Sequence, residues 1–123
     1  MEFEELNSYL TKLEGPALIK NIHIDDDSNI DELVIKVLGD TGTIDDGEIE
    51  LVFLGVEVIN IPQGFMTPIS IRMASRDETV RVLNTNYIES SCNLYMIQDG
   101  EGILWHVYAE SYKVTILPVF YGQ

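Results

Sequence analysis

Residues 91–117 decide the fold: Ser91-Cys-Asn-Leu-Tyr-Met-Ile-Gln-Asp99-Gly100-Glu101-Gly102-Ile-Leu-Trp-His-Val-Tyr-Ala-Glu110-Ser-Tyr-Lys-Val-Thr-Ile-Leu117. Two runs rich in β-branched and aromatic residues flank a four-residue connection, Asp99 to Gly102, that contains two glycines. That pattern is a hairpin signal. A third run, Tyr112 to Leu117, follows at once and makes the hairpin a meander. Trp105, the single tryptophan, lies in the second run and is expected at the centre of the core. Cys92, Leu94 and Met96 share one parity, which reads Cys92 as a small core residue. Tyr95 and Tyr108 are read as lying together on the opposite face. Tyrosine suits an interface, where one end is apolar and the other wet, and it equally suits the half-exposed face of any antiparallel sheet.

Upstream of this stretch most of the chain also reads as β. Leu18 to Ile24 is a strand with Ile22 and Ile24 on one face and Asn21 and His23 on the other. Asp25-Asp26-Asp27-Ser28-Asn29 is a turn, Leu33 to Leu38 a second strand, and Gly39 to Gly47 a loop. Glu48 to Phe53 alternates, with Ile49, Leu51 and Phe53 inward. Gly55 interrupts the run and Val56 to Ile61 continues out of phase, as at a bulge or tight bend. Another strand follows Pro68, with Ile69, Ile71 and Met73 in alternation. Residues 75–90 are read as strand because Val80 and Val82 alternate; the competing reading is a short helix over Asp77 to Leu83 capped by Ser75 or Asp77.

The N-terminus differs. Phe3, Leu6, Leu10 and Leu13 recur at steps of three and four, which predicts an amphipathic helix over residues 2–14. Gly15 is expected to take a left-handed cap and Pro16 to stop the helix. The fold class is therefore α+β in a single domain over 1–123. The helix (2–14) packs on a mainly antiparallel sheet of seven or eight strands (17–120), arranged as a sandwich or a partly open barrel.

Charge is the most unusual feature. The chain has 21 acidic and 7 basic residues, a formal net charge of −14. Residues 1–57 hold 15 acids and 3 bases, and residues 58–123 hold 6 and 4. A field of this sign repels nucleic acid and anionic membrane and attracts basic proteins; the alternative is that acidity serves only solubility. No apolar run approaches the roughly 20 residues that span a bilayer. The first residues, Met-Glu-Phe-Glu-Glu, are acidic where a signal peptide is basic, so a soluble cytoplasmic protein is expected. One cysteine excludes an internal disulfide and Cys-based zinc sites.

Chemistry-bearing motifs are weak. Asp25-x-Asp27-x-Asn29-x-Asp31 has the spacing of the first half of a calcium loop, but Ile30 stands where the turn needs glycine and Lys36 where a bidentate glutamate is needed. It reads as an acidic β-turn. Asp45, Asp46, Glu48 and Glu50 form a second acidic patch at the other end of the second strand, with Glu50 and Lys36 as cross-strand neighbours. Its functional reading is a negative docking surface. Ser90, Ser91, Cys92, His23 and His106 fit no triad pattern, and the two histidines make no metal motif. Gly100-x-Gly102 is followed by no helix, so it is no phosphate cradle. The one basic cluster is Arg72, Arg76 and Arg81. No catalytic residue, metal or cofactor is expected.

An early strand ending in His23-Ile24-Asp25, the segment Ile49-Glu50-Leu51-Val52-Phe53-Leu54-Gly55-Val56, and Trp105 in the Gly102-to-Ala109 strand together carry a resemblance. The chain resembles small β-rich bacterial proteins of the immunity type, encoded beside polymorphic or contact-dependent toxins. It is similar to them in size, acidity and order of elements across most of its length. The resemblance implies a stoichiometric inhibitor with no catalytic residues, whose partner is a basic toxin. On this reading Asp25, Asp26, Asp27, Asp45, Asp46, Glu48 and Glu50 steer the partner, and Tyr95 and Tyr108 anchor it. Two other classes stay open: a self-associating structural or assembly protein of a phage or secretion system, and a small ligand-binding domain with a cavity reached by His23 or His106.

Overall fold

A computed structural model describes residues 2–27, 30–39, 48–85 and 91–117. Helix α1 (Phe3–Leu10) leads into strands β1 (Ala17–Ile24), β2 (Ile30–Leu38), β3 (Glu48–Asn60), β4 (Gly64–Phe65) and β5 (Ser70–Met73). Helix α2 (Arg76–Leu83) and strands β6 (Asn93–Gln98) and β7 (Leu104–Leu117) complete the described elements. The fold is α+β and its sheet is antiparallel throughout.

The strands form one seven-stranded sheet in the order β4-β1-β2-β3-β7-β6-β5. In a flat sheet, edges six strand spacings apart would lie about 29 Å from each other. Yet the edge strands β4 and β5 are joined by residues 66–69 alone, a connection reaching at most about 17 Å from Phe65 to Ser70. The sheet must therefore curl into a half-barrel. The short connection is also pinned. Gly100 N–H donates to the Met66 carbonyl at 2.6 Å, and Thr67 Oγ1 donates to the Glu14 carbonyl at 2.8 Å.

The concave side holds the main core. Leu33, Ile35 and Val37 of β2, Ile49, Leu51 and Phe53 of β3, and Tyr95 and Ile97 of β6 are buried there with Leu6, Leu10 and Leu13. Phe53, Tyr95, Tyr112 and Phe3 form an aromatic cluster with centroid distances of 5.1–6.3 Å. Inward positions in β3 run 49, 51 and 53 before Gly55, then 56 and 59 after it, and Ile61 just past the strand also packs on the core. The phase shift expected at Gly55 is present, but inside one continuous strand. Gly55 has φ +62°, and a Cβ there would meet the Glu110 side chain at 2.6 Å, so the bend needs glycine.

Helix α1 stops at Leu10, short of the expected Glu14. Thr11 stays right-handed, and the N–H groups of Lys12 and Leu13 bond back only three residues, to Tyr9 and Leu10. Gly15 takes no left-handed cap; the N–H groups of Glu14 and Gly15 bond instead to the Gly39 carbonyl at the end of β2. Two further expectations are corrected. Residues 76–83 are helical and not a strand: the Ser75 hydroxyl accepts from Glu78 N–H, Asp77 and Glu78 fill the first turn, and Asn84 closes the helix left-handed at φ 53°. The expected three-stranded meander is a two-stranded hairpin, because β7 runs unbroken through Glu110 and Ser111 along β3. No glycine, proline or asparagine lies there to turn it.

Trp105 is at the rim of the core and not at its centre. Its indole N–H needs a partner, and it reaches Asp99 Oδ2 at 3.0 Å in the hairpin loop. Asp99 Oδ1 also accepts from Glu101 N–H and Ile103 N–H, so one carboxylate organises the whole turn. The convex side has a smaller cluster in which Cys92, Leu94, Met96 and Tyr108 are covered by Val82 and Leu83 of α2.

Candidate functional site

The acidic residues separate into two groups at opposite ends of β2. Glu48 and Glu50 begin β3, opposite Leu38 and Lys36. Both carboxylates are already engaged on the convex face: Glu50 bonds Lys20, and Glu48 Oε2 lies 2.9 Å from Lys36 Nζ. The Glu50 hydrogen bond, with the charges of Glu50 and Glu48, raises the Lys20 pKa and keeps its ammonium charged. Lys36 faces Glu50 in register, as expected, although its ion pair is to Glu48. These two glutamates therefore form a cross-strand ion-pair ladder and contribute little free negative potential.

The second group is at the other end, about 26 Å away along β2. Asp25, Asp26 and Asp27 follow β1 and are exposed. Asp27 N–H donates to Asp25 Oδ1 at 2.9 Å, a turn held by its own aspartate side chain. Asp31, read from the sequence only as a position of the calcium-like spacing, and Glu32, not singled out there, join them at the start of β2. Beside them stands the His23 imidazole, opposite Glu32 in register and 3.5 Å from Asp31. The signal for these two residues was available: a tight turn brings Asp31 and Glu32 beside Asp25 to Asp27 whatever the strand register.

Asp45 and Asp46 lie outside the described residues. Tyr95 and Tyr108 are described, and they do not form a shared exposed face. The hairpin register pairs Tyr95 with Val107 and Leu94 with Tyr108, which puts the tyrosines on opposite sides of the sheet. Tyr95 is 2% exposed in the concave core and Tyr108 is 5% exposed under α2. Burial raises the Tyr95 pKa. Neither side chain is presented as a surface anchor.

The remaining candidates are placed as follows. Cys92 is buried beside Leu94 and Met96, as its parity implied. His106 is half-buried, and desolvation lowers its pKa. Arg72 makes a two-pronged bond to Glu78 at 2.6 and 2.8 Å, with Arg81 at 3.9 Å, so Arg72 and Arg81 pair within their own half of the chain. That bond is the main reason the Glu78 carboxyl is held below its ordinary range. Among the described residues no group of three or more His, Cys, Asp or Glu is placed to hold a metal ion. Among them, too, no helix is long and apolar enough to cross a membrane.

No protein-family model, curated protein or solved structure matches this chain.

Proposed function

We propose that the chain is a non-enzymatic acidic binding protein that neutralises a basic protein partner, in the manner of an immunity-type inhibitor of a toxin. One observation carries the reading: Asp25, Asp26, Asp27, Asp31 and Glu32 are gathered at one end of the β1–β2 hairpin, beside His23. Five carboxylates there form a local field that accelerates encounter with a cation-rich surface. Glu48 and Glu50, held by Lys36 and Lys20, play the lesser part. In this proposal α1 packs on the concave face and closes it, so the partner meets the hairpin end and not the barrel interior.

Charge reversal tests the mechanism. Replacing Asp25, Asp26 and Asp27 by lysine should slow association with the basic partner by about tenfold or more at low salt and flatten its salt dependence. Replacing Glu50 by glutamine should leave the rate nearly unchanged. Equal association rates for wild type and the triple variant would remove steering from the account.

A second reading, self-association into an assembly, is favoured by a different observation: Leu18, Ile22 and Ile24 of β1 are 49%, 39% and 57% exposed. Sedimentation equilibrium separates the two. A monomer over the full micromolar range argues against assembly; a symmetric oligomer that captures no partner argues for it.

A further inference from the structure

The two edges of the sheet are finished differently. At the β5 edge the side chain of Asn7 acts as a substitute strand: its amide donates to the Ile71 carbonyl at 2.9 Å and its oxygen accepts from Ile71 N–H at 2.8 Å. That edge is capped at Ile71. At the other edge β4 pairs with Ala17 and Leu18 alone, and Ile19 N–H reaches the Gln63 carbonyl. Among the described residues no strand pairs with Lys20–Ile24 on the side away from β2. A register irregularity at Lys20 and another between His23 and Ile24 bound this segment, so the regular open stretch is short. Three of the large apolar side chains that stay exposed, Leu18, Ile22 and Ile24, belong to this one strand.

We propose that the open edge of β1, Asn21 to Ile24, receives an extended strand of the basic partner, which adds to the sheet as an eighth strand. This rests on the reading given under Proposed function and names its binding mode. An open strand edge offers backbone donors and acceptors in a row, and an incoming strand takes its specificity from alternate side chains. Ile22 and Ile24 offer apolar contact along the edge. Asp25, Asp26, Asp27, Asp31 and Glu32 at its end select lysine or arginine in the incoming segment. A second copy of this chain fits worse, because it would bring another −14 charge and a second aspartate turn against the first. The occupant is therefore an extended segment of alternating apolar and basic residues.

The probe is a seven-residue synthetic peptide alternating valine and lysine; the control is the same peptide N-methylated throughout, equal in charge but unable to donate backbone hydrogen bonds. Binding is measured by titration calorimetry at low salt, and amide exchange of the 15N-labelled protein is followed by NMR. The expected result is saturable binding of the unmodified peptide with slowed exchange in Asn21–Ile24. The methylated peptide binds at least about tenfold more weakly, a difference of about 1.4 kcal/mol. Ile24→Gln, at a position already 57% exposed and so compatible with folding, removes apolar contact along the edge without changing the charge and weakens the unmodified peptide.

Equal binding of both peptides, lost at high salt, overturns the edge and leaves the basic-partner reading standing. Binding of neither overturns the edge and also counts against a basic partner. Slow exchange of Asn21–Ile24 in the free protein that quickens on dilution overturns the proposal in favour of a second copy.

Discussion

Asn7 offers the sharpest test of how α1 is seated. Its carboxamide makes both hydrogen bonds that a neighbouring strand would make to Ile71, at 2.9 and 2.8 Å, and Ile71 is 1% exposed. Asn7→Ala leaves a backbone donor and a backbone acceptor at a buried position with no partner. Each such orphan costs roughly 1–3 kcal/mol. Partial access of water at the strand edge lowers the total, and about 3 kcal/mol is expected. That is a large share of the roughly 5–15 kcal/mol that holds a domain together. With a urea slope of about 1–3 kcal/mol per molar, the unfolding midpoint should fall by about 1–3 M. Urea titration followed by Trp105 fluorescence and by far-ultraviolet circular dichroism reads the effect. Ser8→Ala is the matched control, since the Ser8 hydroxyl donates to the Glu5 carbonyl of its own helix; it should stay within about 0.5 kcal/mol of wild type. If Asn7→Ala also falls within about 0.5 kcal/mol, Asn7 does not close the β5 edge and the described seating of α1 is wrong.

Other substitutions test other links. Gly55→Ala forces a Cβ into a left-handed residue at φ +62° against Glu110 and should cost about 1–2 kcal/mol, with Glu110→Ala in the same chain recovering only the steric part; full recovery would show that φ is not the constraint. Ser75→Ala removes the cap of α2 and should cost about 1 kcal/mol by urea titration, while Ser75→Asp should be near neutral. The Asp99 carboxyl is held below its ordinary value of 3.8, first by the Trp105 indole N–H and then by backbone N–H groups of the loop. Its contribution to stability is thus complete above that value and is lost as the pH falls through the lower folded value. Asp99→Asn should accordingly flatten the decline of stability on the acid side of pH 4, and an unchanged acid limb would contradict the loop geometry.

Much of the architecture was legible because local chemistry and global pattern agree. Alternation in Glu48 to Phe53 marked β3, and Gly55 marked the bend that curls the sheet. The hairpin was visible from Asp99, Gly100 and Gly102, but its register was not. Counting Asp99 to Gly102 as the loop gives four residues, whereas Gln98 pairs with Leu104 and five residues, 99–103, separate the strands. A change of one residue flips every side chain of one strand relative to the other. That is why Tyr95 and Tyr108, read as sharing a face, stand on opposite sides.

Helix α2 was misread for a different reason. The alternation of Val80 and Val82 outweighed a stronger pair of signals, Ser75 three residues before Glu78 and Asn84 at the end. At eight residues the helix is too short for its apolar period to show. The acidic site was half legible. Composition located the charge in the first half of the chain, but it could not show that Lys20 and Lys36 occupy Glu50 and Glu48 while Asp25 to Asp27 gain Asp31 and Glu32. Which carboxylates share a strand face with a lysine depends on pairing register, whereas the gathering of Asp31 and Glu32 beside Asp25 to Asp27 follows from the turn between the strands.

The central claim is that an acidic surface recruits a basic protein. Affinity capture from the source lysate at about 50 and 500 mM salt tests it most directly, since the screening length falls from about 13 Å to about 4 Å between them. A basic protein retained at the lower salt and lost at the higher, and not retained by the Asp25, Asp26 and Asp27 charge-reversal variant, is the predicted result. Capture of nothing at either salt, or of a partner indifferent to both salt and charge reversal, would contradict it.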